Sequence, residues 1–231
     1  MKVVLTDYAY DTLQPFSDVY QAAGVEFIPL QCKSKQEVLQ ATEYADGVMT
    51  HYAHIDREVI DNLKNCKIII RSAVGVENIN VEAANQRGIS VANVPDYCIE
   101  EVSDYVILLL LASAKKFCVL ERMVQRGEWD YAITKPSDTI HGKTLGLVGC
   151  GNIARAVARK AKVFDMDIIG CDPGVTEQEV AKYGIHLLPQ EKVLQDSDFL
   201  SLHAPLNRYT KHMINRETLS QMKPGAILIN T

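Results

Sequence analysis

The stretch Thr144-Leu145-Gly146-Leu147-Val148-Gly149-Cys150-Gly151-Asn152-Ile153-Ala154 constrains this chain most: a short apolar strand runs into a glycine turn that opens a helix. A second apolar run, Ile168-Ile169-Gly170-Cys171, then ends on the acid Asp172. Each part suits a dinucleotide. Gly149 permits the tight turn, Gly151 lets the backbone approach a pyrophosphate, and the third small residue, Ala154 in place of the commoner glycine, allows helix to pack on strand. The phosphates would sit at the helix N-terminus over Asn152 and Ile153, where unpaired N–H groups and the helix dipole favour negative charge. Asp172 would accept the adenosine ribose hydroxyls and so select NAD over its 2′-phosphorylated relative. In Asp172-Pro173-Gly174 no lysine or arginine follows to attract that phosphate.

The rest of the chain suits such a protein. A length of 231 residues suggests one large or two ordinary domains. The 47% hydrophobic and 23% charged shares are ordinary for a globular protein, and the net charge of −5 argues against nucleic acid or an anionic membrane as partner. The cysteines at 32, 66, 98, 118, 150 and 171 show no C-x-x-C spacing and read as buried apolar residues in a reducing compartment, without zinc or another metal. Met1–Asp7 meets an acid too early for a signal peptide. The apolar run Val106 to Ala114 falls short of the roughly 20 residues that span a bilayer. A cytoplasmic protein is expected.

Short β-like runs alternate with amphipathic stretches throughout. Strands are predicted at Lys2–Thr6, Glu26–Pro29, Gly47–Thr50, Lys67–Arg71 and Ser90–Asn93, with helical patterns such as Gln36–Tyr44 and Asp56–Asn62 between them. This βαβ rhythm predicts a parallel sheet with helices on both faces. Pro95 marks a boundary, giving domains 1–98 and 99–231. One long helix is predicted from Glu100 to Arg126, buried on more than one side because Val106–Leu111 is apolar all round. The second sheet takes Thr144–Gly149, Asp167–Cys171, Ile185–Leu188, Phe199–Leu202 and Ala226–Thr231. The helix after the glycine turn should bury Ile153, Val157, Ala161 and Phe164. Because the doubly wound order runs to a sixth strand, the chain is expected to be a truncated one, with an apolar edge exposed at Ile227 and Ile229.

Five segments carry a resemblance: Arg71-Ser72-Ala73-Val74-Gly75-Val76-Glu77-Asn78-Ile79-Asn80, Val94 to Val102, His141-Gly142-Lys143-Thr144-Leu145-Gly146, Leu202-His203-Ala204-Pro205-Leu206 and Met222-Lys223-Pro224-Gly225. Through them the chain resembles the NAD-dependent D-isomer-specific 2-hydroxyacid dehydrogenases, a family that includes phosphoglycerate, lactate and glyoxylate enzymes and the C-terminal-binding-protein corepressors. The resemblance implies a flavodoxin-like substrate domain followed by a Rossmann-type, doubly wound NAD-binding domain, both α/β and both lacking C-terminal elements. It implies hydride transfer between NAD(H) and a small 2-hydroxy or 2-oxo acid, in a homodimer when full length.

Site residues follow from the same resemblance. Backbone amides at Val74-Gly75 would receive the substrate carboxylate, as unpaired amides bind anions. Arg71 would stand beside the substrate or form a structural ion pair at the strand end; both readings stay open. Val74 and Val102 would flank the nicotinamide, His203-Ala204-Pro205 and Thr210 would cover the adenosine and pyrophosphate, and Thr231 would border the cofactor. His203 is thereby placed over the adenosine, not in a proton relay. The family's arginine, glutamate and histidine, which bind the acid and move its proton, match no residue here, and His51, His54, His141, His186 and His212 read as surface or loop residues. The competing reading is a catalytically inactive NAD-binding scaffold or sensor like the corepressor branch. An adenosylhomocysteinase-like chain does not suit Val94–Val102 or His203–Leu206.

Overall fold

In the computed structural model, which describes residues 1–135 and 139–231, the apolar runs of the first half become the parallel strands β1 (Lys2–Leu5), β2 (Glu26–Pro29), β3 (Gly47–Thr50), β4 (Ile68–Arg71) and β5 (Ser90–Ala92). Between them lie α1 (Gln14–Ala22), α2 (Lys35–Thr42), α3 (Arg57–Asn62) and α4 (Val81–Gln86). The side chains of Ser34, Asp56 and Asn80 accept from backbone N–H groups in the first turns of α2, α3 and α4. Such caps satisfy donors that the helix itself leaves unpaired. The strand order is β2-β1-β3-β4-β5, the flavodoxin-like order. Val4, Val48, Ile55, Ile60 and Ile69 fill its core.

One polar group organises the carboxyl end of this sheet. Asp7, buried just after β1, accepts from the N–H groups of His51 (3.2 Å), Tyr52 (2.7 Å) and Ala53 (3.1 Å), and from the hydroxyls of Thr6 and Thr50. Burial alone would raise its pKa, but the donors outweigh burial and hold it below the usual 3.8. Its stabilisation is therefore present above the unfolded value and lost as pH falls through the lower folded one. Asp7→Ala should cost about 3 kcal/mol, because buried donors lose their acceptor. A loss below about 0.5 kcal/mol, the range of a neutral surface change, would show in denaturant melts that Asp7 does not organise this turn.

The chain divides into two compact units, Met1–Tyr97 and Cys98–Thr231. The second begins with α5 (Ile99–Ala114) and α6 (Phe117–Gln125) and continues through β6 (Thr144–Val148), α7 (Asn152–Ala161), β7 (Asp167–Cys171), α8 (Glu177–Ala181), β8 (Ile185–Leu187), α9 (Gln190–Asp196), β9 (Phe199–Leu202), α10 (Arg216–Ser220) and β10 (Ile227–Asn230). Its parallel sheet runs β10-β9-β6-β7-β8. Read from β8 to β10, that is the doubly wound order 3-2-1-4-5. Among the described residues no helix is long and apolar enough to cross a membrane.

Three expectations need correction. The single helix over 100–126 is two, because Lys116 adopts a left-handed conformation (φ 51). The buried stripe of α5 runs Val106, Leu110, Ala114, and a continuous helix would have carried Glu121 and Gln125 onto it. Within the single chain α5 buries Val106, Leu110 and Ala114, packs Ile107, Leu109 and Leu111 against the same core and leaves Tyr105 and Leu108 exposed. At the sheet edge Ile229 is buried and Ile227 half-buried, while the alternating pleat turns Leu228 outward. Of the six cysteines, all free thiols, only Cys150 is fully buried and Cys118 is exposed. The α7 expectation holds for Val157 and Ala161, with Ile153 and Phe164 half-buried and Ala154, Ala156 and Ala158 also enclosed.

Candidate functional site

The glycine turn lies between β6 and α7, and its two glycines serve different ends. Gly149 has φ +87, and a Cβ there would lie 2.7 Å from the Ala204 nitrogen and 2.8 Å from the His203 carbonyl carbon. The fold itself excludes a side chain. Gly151 has an ordinary φ of −73, and a Cβ on it would meet nothing within 4 Å. The protein's own packing gives no reason for glycine at 151. Gly151 is also the N-cap of α7 and provides no side-chain cap, so no side chain satisfies the first N–H groups of the helix at Asn152 and Ile153. Ala154, fully buried, lets α7 lie close on the sheet.

Asp172 follows directly on β7 and is held by two backbone donors. Its Oδ2 accepts from the Cys150 N–H at 2.8 Å and its Oδ1 from the Gly174 N–H at 2.8 Å. A carboxylate oxygen accepts more than one hydrogen bond, so capacity remains for ligand hydroxyls. The glycine turn and the acid are thus tied together by the Cys150 amide.

Beside them opens a cleft of about 760 Å³, lined by Gly149, Gly151, Asp172, Pro173, His203, Ala204, Pro205 and Thr210 among the sequence-derived candidates. It also takes in Val148, Cys171, Leu188, Pro189, Gln190, Asn207, Tyr209 and Met213, which sequence reasoning missed. A signal existed for part of that set: Leu188 and Pro189 follow the third strand of the unit, and ligands in such sheets lie beyond the strands' carboxyl ends. Asn152, Ile153, Val102 and Thr231 do not line the cleft; Val102 is half-buried on α5 and Thr231 is exposed after β10. The Thr210 hydroxyl donates to the Pro205 carbonyl and bridges the loop.

His203 carries an unmet polar atom. Its Nε2 is buried without a hydrogen-bond partner, and burial lowers its pKa to about 4, so the ring is neutral at neutral pH. The bare helix terminus, the open space over Gly151, the oriented carboxylate and this unpaired nitrogen together fit a dinucleotide.

The remaining candidates lie in the first unit. Arg71 ends β4 with its guanidinium mostly buried; Nε donates to the His51 carbonyl at 3.3 Å and Nη1 pairs with Glu77 Oε2 at 2.5 Å. The structural ion pair left open by the sequence is therefore made. The Arg71 guanidinium draws the Glu77 carboxyl below its ordinary pKa. Val74 and Gly75 lie in the turn between, where Asn93 Nδ2 donates to the Val74 carbonyl at 2.6 Å. His51 lies in the loop after β3, where its ring stacks on Tyr52 and Tyr10 and its Nδ1 is buried without a hydrogen-bond partner. His141 and His186 lie on the exposed surface near Asp165 and Glu177, each at 3.5 Å.

Similarity to known proteins agrees with this geometry. A family model described as "D-isomer specific 2-hydroxyacid dehydrogenase, NAD binding domain" matches residues 107–231. A D-3-phosphoglycerate dehydrogenase of Methanocaldococcus jannaschii is 34% identical over 236 residues, covering 100% of this chain and 43% of that protein. A glyoxylate reductase of Korarchaeum cryptofilum is 38% identical over 202 residues, covering 86% and 61%. The chain thus spans roughly half the length of these relatives. Among solved structures, a glyoxylate reductase from Paecilomyes thermophila superposes with a TM-score of 0.91 at 25% identity, covering 100% of this chain and 73% of that one.

Proposed function

The chain belongs to the D-isomer specific 2-hydroxyacid dehydrogenase family, and from that premise we propose that it contributes the NAD cradle and the acid-binding turn of an oxidoreductase acting on a small 2-hydroxy or 2-oxo acid. The open space over Gly151, at an uncapped helix terminus tied to Asp172, carries this reading. Residues 1–98 take the role of the substrate domain and 99–231 that of the NAD domain. Gly149, Gly151, Asn152 and Ile153 hold the pyrophosphate, Asp172 and Pro173 the adenosine ribose, and His203, Ala204, Pro205 and Thr210 the cover, with Val74 and Val102 toward the nicotinamide and Thr231 bordering the cofactor. Bound there, NAD(H) supplies the hydride. The chain's own part is to orient it, through α7 and the carboxylate, and to present the Val74-Gly75 amides to the acid with Arg71 behind them. The relatives' printed substrates include acids with and without a phosphate.

A homodimer of the full-length protein, in the cytoplasm, completes the proposal. Free thiols support a reducing compartment. The exposed apolar side chains Tyr105, Leu108, Phe117, Val124 and Trp129, on or just after α5 and α6, support a partner subunit there.

Cofactor choice gives the direct test. A carboxylate at 172 repels a 2′-phosphate, so NADH should bind at least about 10-fold tighter than NADPH, a gap of about 1.4 kcal/mol or more. Asp172→Ala should narrow that gap to a few-fold. Equal affinity for both cofactors in the unaltered protein would remove Asp172 from the ribose site.

A further inference from the structure

The loop after β9 holds an aromatic ring at the mouth of the cleft. It passes directly over the glycine turn, since a Cβ on Gly149 would lie 2.7 Å from the Ala204 nitrogen. Further on, the loop locks itself. Asn207 Oδ1 accepts from the N–H groups of Tyr209 (2.8 Å) and Thr210 (3.2 Å), and the Thr210 hydroxyl accepts from the Asn207 N–H at 2.9 Å. Tyr209 lines the cleft, yet the residue is 77% exposed. Arg208 sets its guanidinium over the ring, 4.7 Å from the centroid, and donates to the Tyr209 hydroxyl. Of that pair only Tyr209 lines the cleft, so the cation takes the face turned away from it. Cys171, Leu188 and Met213 line the same cleft and pack on the cluster of Val148 and Leu200, which makes that wall apolar.

We propose that Tyr209 is a cofactor-positioning residue, whose ring stacks on the adenine base of the dinucleotide and closes the cleft over it. The inference rests on the reading of this cleft as the NAD cradle. With the pyrophosphate over Gly151 and the ribose at Asp172, the base is left to be placed within the same cleft, and it is flat and aromatic. An apolar wall on one side and a bare ring on the other suit it, because offset aromatic faces attract beyond the area they bury. Every base has a π-face, so such a platform holds a base without reading its edge. The edge finds a polar partner in the unpaired Nε2 of His203 on the same cleft. Because the Asn207 and Thr210 hydrogen bonds fix the loop before binding, less ordering cost falls on the complex.

The test is a calorimetric titration of the 231-residue chain and two variants with NADH, joined to proton NMR of the bound cofactor. Tyr209→Ala should raise the NADH dissociation constant about 10-fold, or about 1.4 kcal/mol, within what base–aromatic stacking loses on alanine substitution. Tyr209→Phe, which keeps the ring and loses the hydroxyl, should stay within about 3-fold of the unaltered chain. In the complex the adenine H2 and H8 signals should move upfield under the ring current and show nuclear Overhauser contacts to the Tyr209 ring protons, and the upfield shift should be lost in Tyr209→Ala. A merely structural tyrosine would leave those two signals in place. Unaltered affinity in Tyr209→Ala, a phenylalanine variant as weak as the alanine one, or a complex without the adenine–Tyr209 contacts overturns the role of Tyr209 alone. If the unaltered chain binds no NADH, the cradle reading fails and this inference fails with it.

Discussion

Gly151→Val should abolish NADH binding and leave the fold intact. At φ −73 and ψ −165 the backbone is open to any residue, and the new side chain would meet no protein atom within 4 Å at its Cβ. Stability should change by less than about 0.5 kcal/mol, as for a substitution that touches nothing. The valine would instead fill the space over the α7 N-terminus, where a pyrophosphate must come within hydrogen-bonding distance of backbone N–H groups. The expected rise in the NADH dissociation constant is at least about 100-fold, or about 2.8 kcal/mol. Gly149→Ala should behave in the opposite way. Its positive φ and its contacts at 2.7 and 2.8 Å with the His203-Ala204 backbone should cost about 1–3 kcal/mol of stability for the strain alone. Calorimetric titration beside thermal melts separates the two glycines. NADH binding by Gly151→Val at unaltered affinity would place the phosphates elsewhere.

A polypeptide of these 231 residues should bind NADH and turn over no 2-oxo acid at a useful rate. The family resemblance assigns the acid-binding arginine and the glutamate–histidine relay to none of its residues. Among the described histidines, His203 is neutral, with its Nε2 unpaired on the cleft wall, and the carboxylate neighbours of His141 and His186 are on the exposed surface. General acid–base groups contribute about 10²–10⁴-fold, and one preorganised electrostatic donor about 10²–10³-fold. Losing these together leaves activity near background, although the factors do not strictly multiply. Loss of NADH absorbance should be followed with pyruvate, glyoxylate, hydroxypyruvate and 3-phosphohydroxypyruvate. Clear turnover by the mass-verified polypeptide would mean that the proton is handled by a residue now assigned no such role.

The amino-acid sequence by itself determined the strands and the cofactor motif. Buried parallel strands need continuous apolar runs, and the glycine turn is local, so Gly47–Thr50, Asp167–Cys171 and the β6–α7 junction are legible from residues near in the chain. Sequence also named Asp172, because an acid at the end of the next strand has a fixed place in a βαβ unit. What lies between distant segments was decided by the tertiary structure. The break at Lys116 has no glycine or proline to announce it and answers to the burial of α5. The contact that demands Gly149 comes from His203-Ala204, the unmet nitrogen of His203 arises from enclosure by the fold, and the Asp7 tie spans β1 and the turn after β3. Arg71 was visible as a strand-end cation, but Glu77 could not be seen to fold back over Gly75 and engage it. Sequence records which groups are present; only packing sets which of them are desolvated together, and that determines their charge, their partners and the ligand they can accept.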